Sequence, residues 1–194
     1  MVPLSRRSGL QFEPLTAALW PDLEALFGED QACARCWSMW FRLMRSEFAR
    51  QDGEQKKGGL RALVEDGQTP GLLAYMGSEP IAWCSVAPRE AFSALARSRI
   101  LKPVDNEPVW SIVCLYVAPP ARRRGVATAL LEATLEYAGQ QGAKIVEGYP
   151  VEPDKAYTQG VDAATALASA FRRVGFVEVL RRSRTRPIMR RVVG

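Results

Sequence analysis

VWSIVCLYVAPPARRRGVATALLEATLEYA (Val109–Ala138) decides how the chain is read. Its first nine residues, VWSIVCLYV, are β-branched, aromatic and aliphatic, the composition of a buried strand. Two prolines, three consecutive arginines and Gly125 follow. Val126, Leu130, Ala133 and Tyr137 then recur at helical spacing, and Gly139 and Gly142 close the run. The segment therefore predicts a strand, a short turn rich in positive charge, and a helix.

That order suits a phosphate. The first turn of a helix leaves about four backbone N–H groups without partners. The helix dipole places partial positive charge at the same end. Gly125 has no Cβ to hold an anion away, and the Cβ of Ala127 is small. The arginines add charge beside these amides. Neither G-x-x-x-x-G-K-[ST] nor G-x-G-x-x-G occurs in the chain. What stands here is R-x-x-G-x-A, with Arg122, Gly125 and Ala127.

The remaining chain alternates strands and helices. LQFEPL reads as a short strand and TAALWPDLEALFG as a helix carrying Leu19, Leu23, Leu26 and Phe27. CWSMWFRL suits a strand or a helix. SEFARQDGEQKKGG, polar and glycine-bearing, reads as a loop, and LRALVEDG as a helix ending at Gly67. GLLAYM and IAWCSV flank the turn GSEP as a hairpin. AFSALARSRI is a short helix, LKPVDNEP a loop, and AKIVEGYPV a strand stopped by Pro150. EPDKAYTQGVD is a loop. AATALASAFRRV is a helix with Asp162 as its N-cap and Gly175 at its end. FVEVLRRS and RPIMRRVV close the sheet, the latter as an edge strand. The class is α/β, built on one sheet. Residues 1–194 are expected to form a single domain, with 1–9 flexible.

The chain has a formal net charge of +5, and residues 181–194 contain six arginines and no acid, so 5 − 6 leaves −1 for the rest. The basicity is local. It suits the solvent face of a terminal β-ribbon better than a polyanion-binding tail. A nucleic-acid partner is thus disfavoured. No apolar run approaches the ~20 residues of a membrane span, and the N-terminus lacks the apolar core of a signal peptide, so a cytoplasmic protein is expected.

Cys84 and Cys114 lie in apolar runs and read as core residues. Cys33 and Cys36 form C-x-x-C, but the chain has no histidine to complete a zinc site, so no metal is expected. The missing histidine also removes every imidazole base from consideration.

The Val117-x-Pro119 step, the R-x-x-G-x-A turn and the later AFRRVGFVEV (Ala170–Val179) together resemble the GNAT superfamily of N-acetyltransferases. Their pattern is a strand, V-x-P, [QR]-x-x-G-x-[GA], and a later helix ending in G-F. The resemblance implies a central mixed, mostly antiparallel sheet of about six to seven strands flanked by helices. It implies acetyl-CoA or another acyl-CoA as co-substrate and a small-molecule or peptide amine as acceptor, and leaves a homodimer open. Arg122, Arg123, Arg124, Gly125, Val126, Ala127 and Thr128 would surround the pyrophosphate. Leu115 and Val117 would pair through their backbones with the pantetheine arm, in a gap where VWSIVCLYV and AKIVEGYPV splay apart. The Leu115 N–H would face the thioester carbonyl, where one donor can change the rate about 100–1000-fold.

An alkyl ammonium with a pKa of about 10.4 costs roughly 4–5 kcal/mol to deprotonate at neutral pH, so a carboxylate helper is expected. Glu147 is the candidate base, on the face shared by Ile145 and Tyr149. The family often carries a general-acid tyrosine four residues before the glycine of G-F. Here that position is Phe171, placed by the resemblance near the cofactor, and Tyr149 or Tyr157 would have to substitute. CARCWSMWF with Trp83 and Trp110 could wall an acceptor pocket or fill the core. The missing tyrosine keeps a second reading open: a non-catalytic acyl-CoA-binding or protein-interaction module on the same fold.

Overall fold

The computed structural model describes residues 4, 9–28, 30–152 and 168–193. Seven strands form one sheet in the order β1-β2-β3-β4-β5-β7-β6. They are β1 (Leu10–Pro14), β2 (Gly71–Met76), β3 (Glu79–Pro88), β4 (Trp110–Val117), β5 (Ile145–Gly148), β6 (Val177–Arg181) and β7 (Pro187–Val192). Only β4 and β5 run parallel; every other neighbouring pair is antiparallel. This is the mixed, mostly antiparallel α/β architecture expected.

The helices are α1 (Trp20–Gly28), α2 (Gln31–Cys36), α3 (Arg45–Arg50), α4 (Gly53–Glu65), α5 (Ser93–Ala96), α6 (Val126–Gln140) and α7 (Ala168–Arg173). They cover both faces. On one, α6 and α7 bury Leu130, Ala133 and Phe171 against Leu72, Cys84, Ile112 and Val146. On the other, α1, α2 and α4 bury Leu23, Phe27, Cys33 and Leu60 against Leu73, Trp83 and Tyr116. A smaller cluster around Phe92, Leu95, Tyr149 and Ile188 continues this second layer. Among the described residues no helix is long and apolar enough to cross a membrane.

The segment expected as a loop, SEFARQDGEQKKGG, is instead α3 and most of α4. Capping explains the difference. Asp52 accepts the Gln55 N–H at 2.8 Å, and Gln55 returns to accept the Asp52 N–H at 3.0 Å. Lys56, Leu60 and Val64 then share one buried stripe, four residues apart. The Lys56 ammonium lies 3.9 Å over the Phe48 ring, which lets a cation sit on that stripe. CWSMWFRL is neither strand nor long helix. Trp37 (φ 46°) and Ser38 (φ 56°) turn the chain, and Trp37 packs on Trp20 and Phe27.

RPIMRRVV is not an edge strand. β7 lies between β5 and β6, and β6 forms the edge. The C-terminal arginines there are largely engaged within the molecule. Arg181 bonds Glu178 and Glu152, Arg172 bonds Glu152, and Arg182 caps the Lys102 and Pro103 carbonyls. Bonds from Arg172 and Arg181 hold the Glu152 carboxyl below the ordinary 4.5, and a bond from Arg181 does the same for Glu178. A depressed folded-state value stabilises above 4.5 and is lost as pH falls through the lowered value. Thermal melts from pH 6 to pH 3 are therefore expected to show a falling midpoint that Glu152→Gln flattens.

Candidate functional site: a gap in the sheet beside an uncapped helix

The turn between β4 and α6 is built as the sequence predicts. Ala118 to Ala121 make one tight turn, with the Ala121 N–H donating to the Ala118 carbonyl at 2.9 Å. Arg122 donates from Nε to the Val117 carbonyl at 2.9 Å, tying the turn to the strand end. Arg123 (φ 61°) and Gly125 (φ 79°) both take left-handed conformations. Gly125 needs no side chain excluded to do so, and a Cβ built there meets nothing within 4 Å. Space is therefore open directly beside it.

No side chain caps α6, and its first backbone bond is Ala129 N–H to Gly125 C=O at 3.0 Å. The amides of Val126, Ala127 and Thr128 precede that bond and have no carbonyl one turn back within the helix. Val126 itself is buried and anchors the turn, while Arg123 and Arg124 are exposed beside the amides. Free amides beside exposed arginines are chemically suited to accept an anion.

The neighbouring gap has a specific cause. In the β3–β4 pairing, Ser85 faces Cys114 but Val86 faces Ile112. Val113 is thus an extra residue, a β-bulge on β4. As a result Val113 and Cys114, adjacent in sequence, both turn to the face carrying α1 to α5, while Ile112 and Leu115 face α6. β4 pairs with β5 only at Trp110–Val146, Ser111–Glu147 and Ile112–Gly148. Beyond Ile112 the two strands have no register, so Leu115 and Val117 lie on the part of β4 that leaves β5. Phe171 is buried at the mouth of this split, edge-on to Phe176 with ring centroids 4.9 Å apart. It packs so closely on Gly148 that a Cβ there would collide with its ring. Phe171 brings no hydroxyl to the site.

Glu147 and Tyr149 share a face, as alternation predicts. The Tyr149 hydroxyl donates to Glu147 Oε1 at 2.6 Å and lies 2.9 Å from the Ser111 hydroxyl. Glu147 is fully buried and doubly ion-paired: Arg89 Nη1 donates to Oε1 and Arg190 Nε to Oε2, each at 2.7 Å. Arg89 also bonds the Tyr149 hydroxyl and the Leu101 carbonyl, and Arg190 grips Asp105 through two bonds. Burial, with the Glu147 charge beside it, pushes the Tyr149 hydroxyl far above its ordinary value. It therefore keeps its proton as a donor.

Arg89, Asp105 and Arg190 were not singled out by sequence. Alternation in PIMRRV sets Ile188 and Arg190 on one face, but that Arg190 stands opposite Glu147 emerges only from the pairing of β5 with β7. Tyr157 and Asp162 lie outside the described residues. None of the four cysteines is in a disulfide. Burial pushes the Cys84 and Cys114 thiols up to about 12, in keeping with packing roles.

On the α1–α5 face, two adjacent cavities of about 420 and 700 Å³ share Trp40, Phe41 and Arg186. The smaller one reaches the sheet at Val113 and Cys114, the bulge itself. Trp83 and Trp110 line neither: Trp83 is a core residue whose Nε1 donates to Ser38, and Trp110 packs edge-on to Tyr137.

Comparison with known proteins agrees with this geometry. The model of the acetyltransferase (GNAT) family matches residues 32–159. An uncharacterized N-acetyltransferase, YhfO of Bacillus subtilis (strain 168), is 34% identical over 100 residues, which span 50% of this chain and 60% of that protein. Among solved structures, the PaiA N-acetyltransferase of Thermoplasma acidophilum, in complex with coenzyme A, has a TM-score of 0.55 at 14% identity, covering 94% of this chain and 98% of that one. The ribosomal-protein-alanine N-acetyltransferase of Brucella melitensis has a TM-score of 0.54 at 17% identity, covering 93% and 98%. At such identities the structures speak for the fold. With the family match spanning most of the chain, and the bulged strand, gap and uncapped helix in place, this protein belongs to the acetyltransferase (GNAT) family.

Proposed function

We propose that the protein transfers an acetyl group from acetyl-CoA, or another acyl group from its CoA thioester, to a primary amine of a small molecule or peptide. The observation carrying this reading is the bulge-made gap along β4 that leads straight to the uncapped N-terminus of α6. The pyrophosphate would lie on the amides near Gly125 to Thr128, with Arg122, Arg123 and Arg124 supplying charge around it. The pantetheine would lie along Leu115 and Val117. Phe171 would close the mouth of the gap as an apolar wall. The reading takes residues 1–194 as one acyltransferase domain.

For the chemistry, the amine nitrogen attacks the thioester carbonyl directly, the C–S bond breaks, and the nitrogen's proton must reach the leaving sulfur. Glu147 and Tyr149 remain the candidates for moving it. Two donors hold Glu147 Oε1 and one holds Oε2, so a proton has a single lone pair left to enter, on Oε2, unless Arg89, Arg190 or Tyr149 moves. That occupancy, with Phe171 at the tyrosine position, supports a second reading in which the fold binds acyl-CoA without turnover. A thiol pKa of about 8.5 makes CoA thiolate a leaving group that can depart without a dedicated acid, which favours the first.

Calorimetry with acetyl-CoA, followed by an amine panel with detection of released thiol, separates them. Heat of binding and thiol release are expected. Binding without release on any amine supports the second reading, and no heat with any CoA thioester removes both.

A further inference from the structure

The two cavities on the α1–α5 face carry a chemical signature of their own. Five arginines line them: Arg35 and Arg186 in the smaller, and Arg45, Arg97, Arg99 and again Arg186 in the larger. Among the described lining residues there is no aspartate or glutamate. Arg45, Arg97 and Arg99 form no ion pair with a described carboxylate. Glu47, the acid nearest along α3, is turned back to accept the Met44 N–H at 2.8 Å.

The walls between these charges are apolar. Phe41 and Trp40 stand between the cavities, and Phe48 closes the smaller one. Arg45 lies over the Trp40 ring at 5.1 Å. The wall is held firmly: the Ala94 N–H bonds the Phe41 carbonyl at 3.1 Å and the Ser93 hydroxyl bonds the Arg42 carbonyl at 2.8 Å. The Arg42 guanidinium sits 4.6 Å over Phe92, with Nε and Nη2 buried and without a hydrogen-bond partner. Burial alone lowers its pKa to about 10. The fold thus keeps an uncompensated cation beside a cavity already rich in them.

An amine acceptor that is only a cation would be repelled by such a wall. Guanidiniums instead match planar carboxylates and can bond them through two parallel N–H groups. Both cavity volumes fall in the roughly 300–1,000 Å³ range of small-molecule sites.

We propose that the acceptor is a small primary amine carrying a carboxylate next to an apolar or aromatic body, such as an α-amino acid. Its carboxylate would face Arg35, its body Trp40, Phe41 and Phe48, and its amine the bulge at Val113 and Cys114, all of which line the smaller cavity. The inference rests on the acyltransferase reading and narrows it. The nitrogen forms an amide with the acetyl carbon, the C–S bond breaks, and the nitrogen's proton ends on the CoA thiol. The products are an N-acetyl amino acid and CoA.

Matched pairs differing only in the carboxylate test this. Phenylalanine against phenethylamine, tryptophan against tryptamine and leucine against isoamylamine are assayed with the full chain and acetyl-CoA by thiol release. At least one pair is expected to favour the carboxylate member by about tenfold or more in kcat/KM. The Arg35→Gln variant is expected to collapse that ratio through KM for the amine, with acetyl-CoA affinity by calorimetry unchanged. Equal or better use of the decarboxylated amines, or a ratio untouched in the Arg35→Gln variant, overturns the acceptor class while leaving the acyltransferase reading standing. Acetyl-CoA binding with no member of any pair acetylated also overturns it. Failure to bind acetyl-CoA removes both.

Discussion

Gly125→Glu is expected to weaken acetyl-CoA binding at least about 100-fold while the protein still folds. The new side chain would project into the open space beside the turn, where nothing lies within 4 Å of a Cβ. A carboxylate would occupy the place proposed for the pyrophosphate and repel it. Each charge-assisted bond lost is worth roughly 1.5–3 kcal/mol, so losing even two accounts for the effect. The fold should survive because no packing contact is displaced. The left-handed φ of 79° at this position adds strain of only about 1–2 kcal/mol. Calorimetry reads the affinity and circular dichroism the fold. Unchanged affinity in a folded variant would show that the phosphate lies elsewhere.

Glu147→Gln is expected to remove about 3–5 kcal/mol of stability, the cost of breaking a buried ion pair from one side. The carboxylate is fully buried, and Arg89 and Arg190 are each only 11% exposed at the side chain. The substitution leaves both guanidiniums without their shared counter-charge, and only Arg190 retains Asp105. The melting point should fall by about 6–20 °C. Acetyl-CoA affinity should hold, since the amide cradle is built from a different stretch of chain. Turnover well below the melting point should drop. A variant that melts with the wild type would show that this network contributes little, and full activity would clear Glu147 of proton transfer.

Local signals were legible in the sequence, and convergent ones were not. β4, the arginine–glycine turn and α6 are contiguous, and each is specified by its own composition and period. The β2–β3 hairpin is equally local. The glycines of GEQKKGG argued for a loop, whereas Asp52 and Gln55 had already fixed a helix start one turn earlier. The cluster around Glu147 draws Arg89 from the end of β3, Asp105 from a loop and Arg190 from β7. No spacing rule joins those positions. Alternation could place Glu147 and Tyr149 on one face, but only the sheet order reveals that two arginines meet them there. The C-terminal arginines illustrate the same limit. Their ribbon was readable, but its interior position and its carboxylate partners depend on which strand lies beside which.

The surplus residue at Val113 means that the slot along β4 is written in main-chain counting rather than in side-chain identity. Substitutions from Val113 to Val117 can retune volume and polarity without closing it. Removing a single residue there would put the pleat back in step, let β4 zip further along β5, and fill the space from which a thioester would be presented. The feature should thus be robust to point changes and brittle to a one-residue deletion, the opposite of a site held by a few irreplaceable side chains.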